Sequence, residues 1–255
     1  MNLCVPDSKK SCAACCGLYN VTNGTRQHLE RNLAERTILF ATTERTADSL
    51  ESFQHAVRRA ESVQPLDSII HVCEFAGFLD TEHSLVGCML HPSAPDNRNV
   101  DLRGMCHYGS MACKAFYCPA WKELPSRMTK VICSAVEDWH LYGLVATDVH
   151  FVRAIFDFLD VVAGTDSWDS EVLNNKALSA FRRVLLWKQH WQGAPCSHVR
   201  RSAYYIKRDS CIESKSPVER ILGSLEFAYR ESFDSPAMRD CIETGLNDLA
   251  AACFS

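Results

Sequence analysis

Nine of the fourteen cysteines in this 255-residue chain fall in two groups. Cys4, Cys12, Cys15 and Cys16 lie near the start, and Cys73, Cys88, Cys106, Cys113 and Cys118 follow a long stretch, 17–72, that has none. Thiolates are soft ligands that select zinc, copper(I) and the iron of iron–sulfur clusters over harder ions. The Cys12-x2-Cys15 turn sets two sulfurs on one side of a knuckle. The adjacent Cys15 and Cys16 point in different directions, so one of them joins a given metal and the other serves a second metal or packs inside. The two groups meet only if the intervening chain folds back, which makes the expected site a tertiary one. Eight thiols, Cys12, Cys15, Cys16, Cys73, Cys88, Cys106, Cys113 and Cys118, suffice for two four-thiolate sites. A closed zinc site commonly uses two Cys-x2-4-Cys knuckles and only one is obvious here. An iron–sulfur cluster accepts thiolates gathered from distant segments, so a 4Fe–4S cluster is expected ahead of zinc.

Two histidines stand close enough in sequence to replace a missing thiolate: His91, three residues after Cys88, and His107, directly after Cys106. His140, His150 and His190 fall on helical segments and read as surface or packing residues. Cys133, Cys196, Cys211, Cys241 and Cys253 are scattered singly in such segments, where a lone cysteine is normally a small buried hydrophobe. Disulfides would suit so many cysteines in an oxidising compartment. The first ten residues, however, contain no apolar stretch of the length a secretory leader needs, and no run approaches the roughly 18 apolar residues of a membrane span. A reducing, cytoplasmic setting is therefore expected, with the clustered thiols as metal ligands.

The order of several short motifs resembles a bacterial cysteine-cluster family, the zinc- or iron-chelating domain of Cys-x3-Cys-x2-Cys-Cys type. Cys12-x2-Cys15-Cys16-Gly17 matches the last three positions of that run. Cys73-Glu74-Phe75-Ala76-Gly77-Phe78-Leu79-Asp80 is similar to the second element, Gly87-Cys88-Met89-Leu90-His91-Pro92 to the third and Cys113-Lys114 to the fourth. The resemblance spans about 4–121 and implies a chelated metal; relatives that include flagellin lysine methylating proteins are associated with an iron–sulfur cluster. This chain departs from the pattern at one place. The run's first cysteine falls on Ser8, a poor ligand for a soft metal, so Cys4, Cys106 or Cys118 would have to supply that thiolate.

The elements that must position these residues follow from periodicity. Leu29, Leu33 and Ile38 suggest one helix. Leu50, Phe53, Val57 and Ala60 suggest a second, capped by Asp48 or Ser49 and ended by Pro65. Together they form a two-helix excursion over about 26–64 that returns the chain to the second cysteine group. Residues 69–121 are broken by Gly77, Gly87, Pro92, Pro95, Gly104 and Gly109 into loops and brief strands, the kind of chain a structural metal stabilises. Phe116 and Tyr117, between Cys113 and Cys118, are placed to shield a site or to pack beneath a loop. Beyond Pro125 the pattern is helical. A wide apolar stripe covers 136–159, and Leu178, Phe181, Val184, Leu185, Trp187 and Trp191 mark another helix. Ser216-Pro217-Val218-Glu219 is a capping box with proline at the first helical position, and Ser235-Pro236 repeats the entry. The expected fold is mainly α: a loop-rich cysteine region, 1–125, packed on a helical bundle, 126–255.

A net charge of −4 and a pI near 6.2 remove the general electrostatic case for nucleic acid or an anionic membrane. The basic pairs Arg182-Arg183 and His198-Val199-Arg200-Arg201 read as solvated charges. No nucleophile motif, phosphate-binding glycine loop or His-Glu-x-x-His helix is present. The favoured expectation is a metal-binding protein in a redox or accessory role, with another protein as partner. The alternative is a helical protein-interaction or protein-modifying module that the cysteine region, holding zinc, merely stiffens.

Overall fold

Residues 2–166, 168, 173–191, 215–229 and 235–254 are described by a computed structural model of the chain. The excursion between the cysteine groups is helical, as its periodicity predicts: α1 spans Arg26–Ala41 and α2 spans Ala47–Glu61. Helix α1 buries Leu29, Leu33, Arg36 and Phe40. Ile38 is 71 % exposed, contrary to expectation. Five residues beyond Leu33 is about 140° round the helix, so the inner stripe continues at Arg36 and Phe40 instead. Helix α2 buries Leu50, Phe53 and Val57, and leaves Ala60 exposed. Its cap is Thr46, whose hydroxyl accepts from the Ser49 N–H at 3.3 Å, so the helix begins earlier than a cap at Asp48 or Ser49 would allow. It stops at Glu61, with Ser62 left-handed, before Pro65 is reached. Pro65 instead bridges to Val21.

Residues 69–121 are mostly loop. A hairpin of β1 (Ala76–Phe78) and β2 (Val86–Cys88) sets Ala76 opposite Cys88 and Phe78 opposite Val86. Two short helices, α3 (Gly109–Ala115) and α4 (Pro119–Glu123), were not expected, being too brief to show a helical period.

The second half contains α5 (Ser126–Ala135), α6 (Trp139–Ala146), α7 (Val149–Ala163), α8 (Asn175–Leu185), α9 (Pro217–Tyr229) and α10 (Pro236–Phe254). The fold is mainly α, as the sequence predicts. The stripe over 136–159 is two helices rather than one. Asp138 caps α6 through the Leu141 N–H (3.0 Å), and Asp148 caps α7 through the Phe151 N–H (3.1 Å), breaking the run between them. All of α6 is buried, so it forms the centre on which the others pack. Phe151, Ile155 and Phe156 of α7 meet Phe181 of α8, Ile221 and Leu225 of α9 and Ile242 and Leu246 of α10 in one apolar core. Trp187 lies in a short turn after α8 and Trp191 beyond it, so neither extends that helix. Arg182 and Arg183 occupy the last turn of α8, where cations complement the helix dipole, and Arg182 pairs with Glu137. The basic stretch 198–201 lies outside the described residues. Among the described residues no helix is long and apolar enough to cross a membrane.

Both predicted caps in this half are formed. Ser216 Oγ accepts from the Glu219 N–H at 3.3 Å, and Glu219 Oε2 accepts from the Ser216 N–H at 3.0 Å. The Met238 N–H reaches Ser235 Oγ at 3.3 Å. The Ser216 amide and hydroxyl favour the ionised form of Glu219 and hold its pKa below the ordinary 4.5. A lowered carboxylate pKa contributes stability above about pH 4.5 that is lost on further acidification. We expect the Ser216 amide resonance to shift in NMR as Glu219 titrates below pH 4.5, and Glu219→Gln to abolish the shift; because the pair is exposed, the effect on global stability should be small.

Candidate metal centre

The cysteine region is held to the helical half by long-range hydrogen bonds. Tyr142 Oη donates to the Leu3 carbonyl at 2.8 Å, Tyr19 Oη lies 3.3 Å from the Trp139 and His140 carbonyls, and His140 Nε2 is 2.9 Å from the Gly24 carbonyl. His140 is thus a buried packing residue. Within the region, backbone bonds bring the two cysteine groups together. The Cys12 N–H donates to the Cys4 carbonyl at 2.8 Å, and the Cys73 N–H to the Cys16 carbonyl at 2.9 Å. The hairpin then carries Cys88 back beside Ala76, three residues from Cys73.

Two features that the sequence reading passed over make this approach feasible. Gly17 ends the first cysteine run at φ +74°, and a Cβ there would stand 2.2 Å from the His71 carbonyl oxygen. Only glycine combines that backbone conformation with such close contact. Arg36, 5 % exposed, donates to the carbonyls of Cys73 (3.0 Å) and Ala76 (3.3 Å) while its other nitrogens pair with Glu61 at 2.5 Å. The helical arm therefore grips the loop that bears Cys73. Arg36 was detectable in principle, since it falls three residues after Leu33 on the inner face of α1. A cleft of about 490 Å³ beside this loop is lined by Arg36, Arg58, Glu61, His71 and Glu74. Its charges are matched: Arg58 lies 2.5 Å and His71 3.2 Å from Glu74. Burial opposes ionisation of Glu74, but His71 and Arg58 prevail and bring its pKa down to about 2.

The eight predicted ligands and Cys4 are linked by pairwise electrostatic contacts in two overlapping groups that meet at Cys15 and Cys16. Cys106 and Cys113 have sulfurs 3.3 Å apart. At four cysteines from separate segments nearby backbone amides favour the thiolate: Ala14 at Cys12, Phe75 at Cys73, Leu90 at Cys88, and Trp121 and then Ala120 at Cys118. Such bonds favour thiolate over thiol and tune the metal that a thiolate binds. Burial works the other way. It raises the thiols of Cys12, Cys73 and Cys118, and pushes Cys4 and Cys88 up to about 11, Cys113 to about 12. Neighbouring thiols add to each of these shifts. Cys15 is the exception: a hydrogen bond from the Cys16 thiol brings it down to about 7 and raises Cys16.

The described cysteines are free thiols. Among the described residues no three His, Cys, Asp or Glu side chains are already arranged to hold a metal ion, so the sulfurs are neighbours rather than a finished coordination sphere. Closing that sphere would be coupled to binding, as is usual for sites that supply folding energy. The donor set suits a soft ion: sulfur dominates, and the Glu74 carboxylate is committed to Arg58 and His71.

The histidine alternatives do not converge on the thiols. The His91 ring accepts from the Ser93 N–H at 3.1 Å, and His107 is exposed and stacked on His71 with centroids 4.2 Å apart. Ser8 is exposed, whereas Cys4 is within electrostatic reach of Cys12, Cys15 and Cys118. Phe116 and Tyr117 neither seal the thiols nor pack beneath the loop. They are 48 % and 51 % exposed, and the Tyr117 ring lies tilted against Trp121 with centroids 4.5 Å apart, because the short α3 and α4 turn both rings outward. Cys253, in α10, has its pKa pushed up to about 11 by burial alone, with no neighbouring thiol contributing. Cys196 and Cys211 lie outside the described residues. In comparison with known proteins, the chain matches no family model, no curated protein and no solved structure.

Proposed function

We propose that this chain is a metal-binding protein whose clustered cysteines hold an iron–sulfur cluster or zinc, in a redox or accessory role within the cytoplasm. The observation that carries the reading is the meeting of the two cysteine groups: the Cys73 N–H donates to the Cys16 carbonyl at 2.9 Å, and the Cys106 and Cys113 sulfurs lie 3.3 Å apart. Iron–sulfur is favoured over zinc because the thiols come from several loops rather than from two knuckles. When bound, an iron–sulfur cluster would supply one-electron transfer and zinc would supply only a crosslink. The protein's own contribution is to desolvate the sulfurs, to hold Cys73 through Arg36, and to bring Cys16 against Cys73 across Gly17.

Anaerobic purification followed by metal and sulfide analysis tests this reading. We expect a brown protein containing iron and acid-labile sulfide; a colourless protein with stoichiometric zinc would select the zinc form. Single changes of Cys12, Cys88 or Cys113 to Ser should each lower the bound metal, and Cys253→Ser should not. Native protein without any thiolate-bound metal would overturn the proposal.

A further inference from the structure

The nine thiols do not surround one point. Cys12 and Cys118 pack against the apolar core that contains Leu3, Leu124 and Tyr142, and the Cys12 amide ties that side to Cys4. Cys73 and Cys106 belong to a different cluster, built on Phe40, Phe53 and Phe75, and Cys88 and Cys113 pack against it. Mutual electrostatic influence follows the same division except at Cys15, which reaches both sets. Every pair among Cys4, Cys12, Cys15 and Cys118 interacts. In the other set Cys88 interacts with Cys73, Cys106 and Cys113, and Cys106 with Cys73 and Cys113. The seam runs between adjacent residues. Cys15 belongs to the first set, although Cys88 and Cys113 also feel its charge, while Cys16 packs against the second and accepts the Cys73 amide through its carbonyl.

We propose that the chain carries two separate four-thiolate metal centres, one of Cys4, Cys12, Cys15 and Cys118 and the other of Cys73, Cys88, Cys106 and Cys113, with the Cys16 thiol as a hydrogen-bonding partition between them. This rests on the metal-binding reading and specifies its stoichiometry and ligand sets. The centres differ in surroundings. Cys4 and Cys15 of the first are exposed, whereas Cys73 and Cys106 of the second are buried. The Arg103 guanidinium lies within electrostatic reach of Cys88 and Cys113 and offsets the charge of the second set. A competing chelator should therefore strip the first centre well before the second.

Cobalt(II) added to metal-free, reduced full-length protein counts the centres through sulfur-to-cobalt charge-transfer absorption. Two equivalents are expected for the wild type and one each for the double variants Cys4→Ser/Cys118→Ser and Cys106→Ser/Cys113→Ser, so each pair of changes halves the signal. One equivalent in the wild type, or complete loss of cobalt in a double variant that keeps its helical circular dichroism, would overturn the division. If a double variant loses its helical signal, the wild-type count decides. A folded wild type that binds no cobalt would defeat the metal-binding reading itself, an outcome distinct from a single shared centre.

Discussion

Replacing Asp148 by alanine is expected to cost about 3–5 kcal/mol, the loss typical of a buried charge deprived of its partner. Lys188 and Asp148 are both fully buried, their side chains lie 2.9 Å apart, and Ser224 bonds to each. The same carboxylate caps α7, so alanine also removes a cap worth about 1 kcal/mol. For a chain of this size 1 kcal/mol moves Tm by roughly 2–4 °C, and a fall of about 10 °C should appear in thermal unfolding. Lys188→Met alone should destabilise through the orphaned carboxylate. The double variant Asp148→Ala/Lys188→Met should lose less than the two single changes together, since neither charge is then left unpaired. Additive losses would show that the ion pair contributes nothing beyond its separate groups.

A Gly17→Ala variant should lose both stability and metal. The left-handed conformation costs an alanine about 1–2 kcal/mol. The overlap with the His71 carbonyl and with the Val72 Cα at 2.9 Å involves backbone, which cannot rotate away. The total should exceed about 3 kcal/mol, and the Cys16–Cys73 junction should open, lowering metal content per folded chain. Gly109→Ala provides the comparison. Gly109 has a similar φ, +76°, but nothing within 4 Å of its Cβ position, so only the conformational cost remains. Gly104→Ala, which meets neither obstacle, should be close to neutral. Urea unfolding of the three variants checks the order, and equal losses at positions 17 and 109 would remove the steric argument.

The helices were legible where the apolar period was long and the caps were local. Leu50, Phe53 and Val57 mark α2, and the Ser216–Glu219 box needs only four consecutive residues. The break at Asp148 was not, because the long apolar stripe hides a cap that is local, Asp148 accepting from the Phe151 N–H; the pairing of its carboxylate with Lys188, forty positions later, is invisible in the sequence. Ile38 was misplaced because an apolar side chain on a helix was assumed to face inward, whereas that face is taken by Arg36 and its bond to the Cys73 carbonyl. At the candidate centre the two cysteine groups were visible as clusters in the sequence, and their approach required only that the chain turn back, as the Cys73 amide bond to the Cys16 carbonyl shows. Cys12 and Cys118 pack against one apolar cluster and Cys16, Cys73, Cys88, Cys106 and Cys113 against another, a separation that no sequence spacing encodes.

The clasp of Arg36 on Glu61 and the Cys73 loop also bears on the order of events as the chain leaves the ribosome. Contacts between α1 and α2 are close in sequence, so the arm can assemble while later segments are still being synthesised. By then Cys4, Cys12, Cys15 and Cys16 have already emerged, whereas Cys88, Cys106, Cys113 and Cys118 have not. The nascent chain thus passes through an interval in which four of the nine clustered thiols have emerged while most of the second group is still to be made.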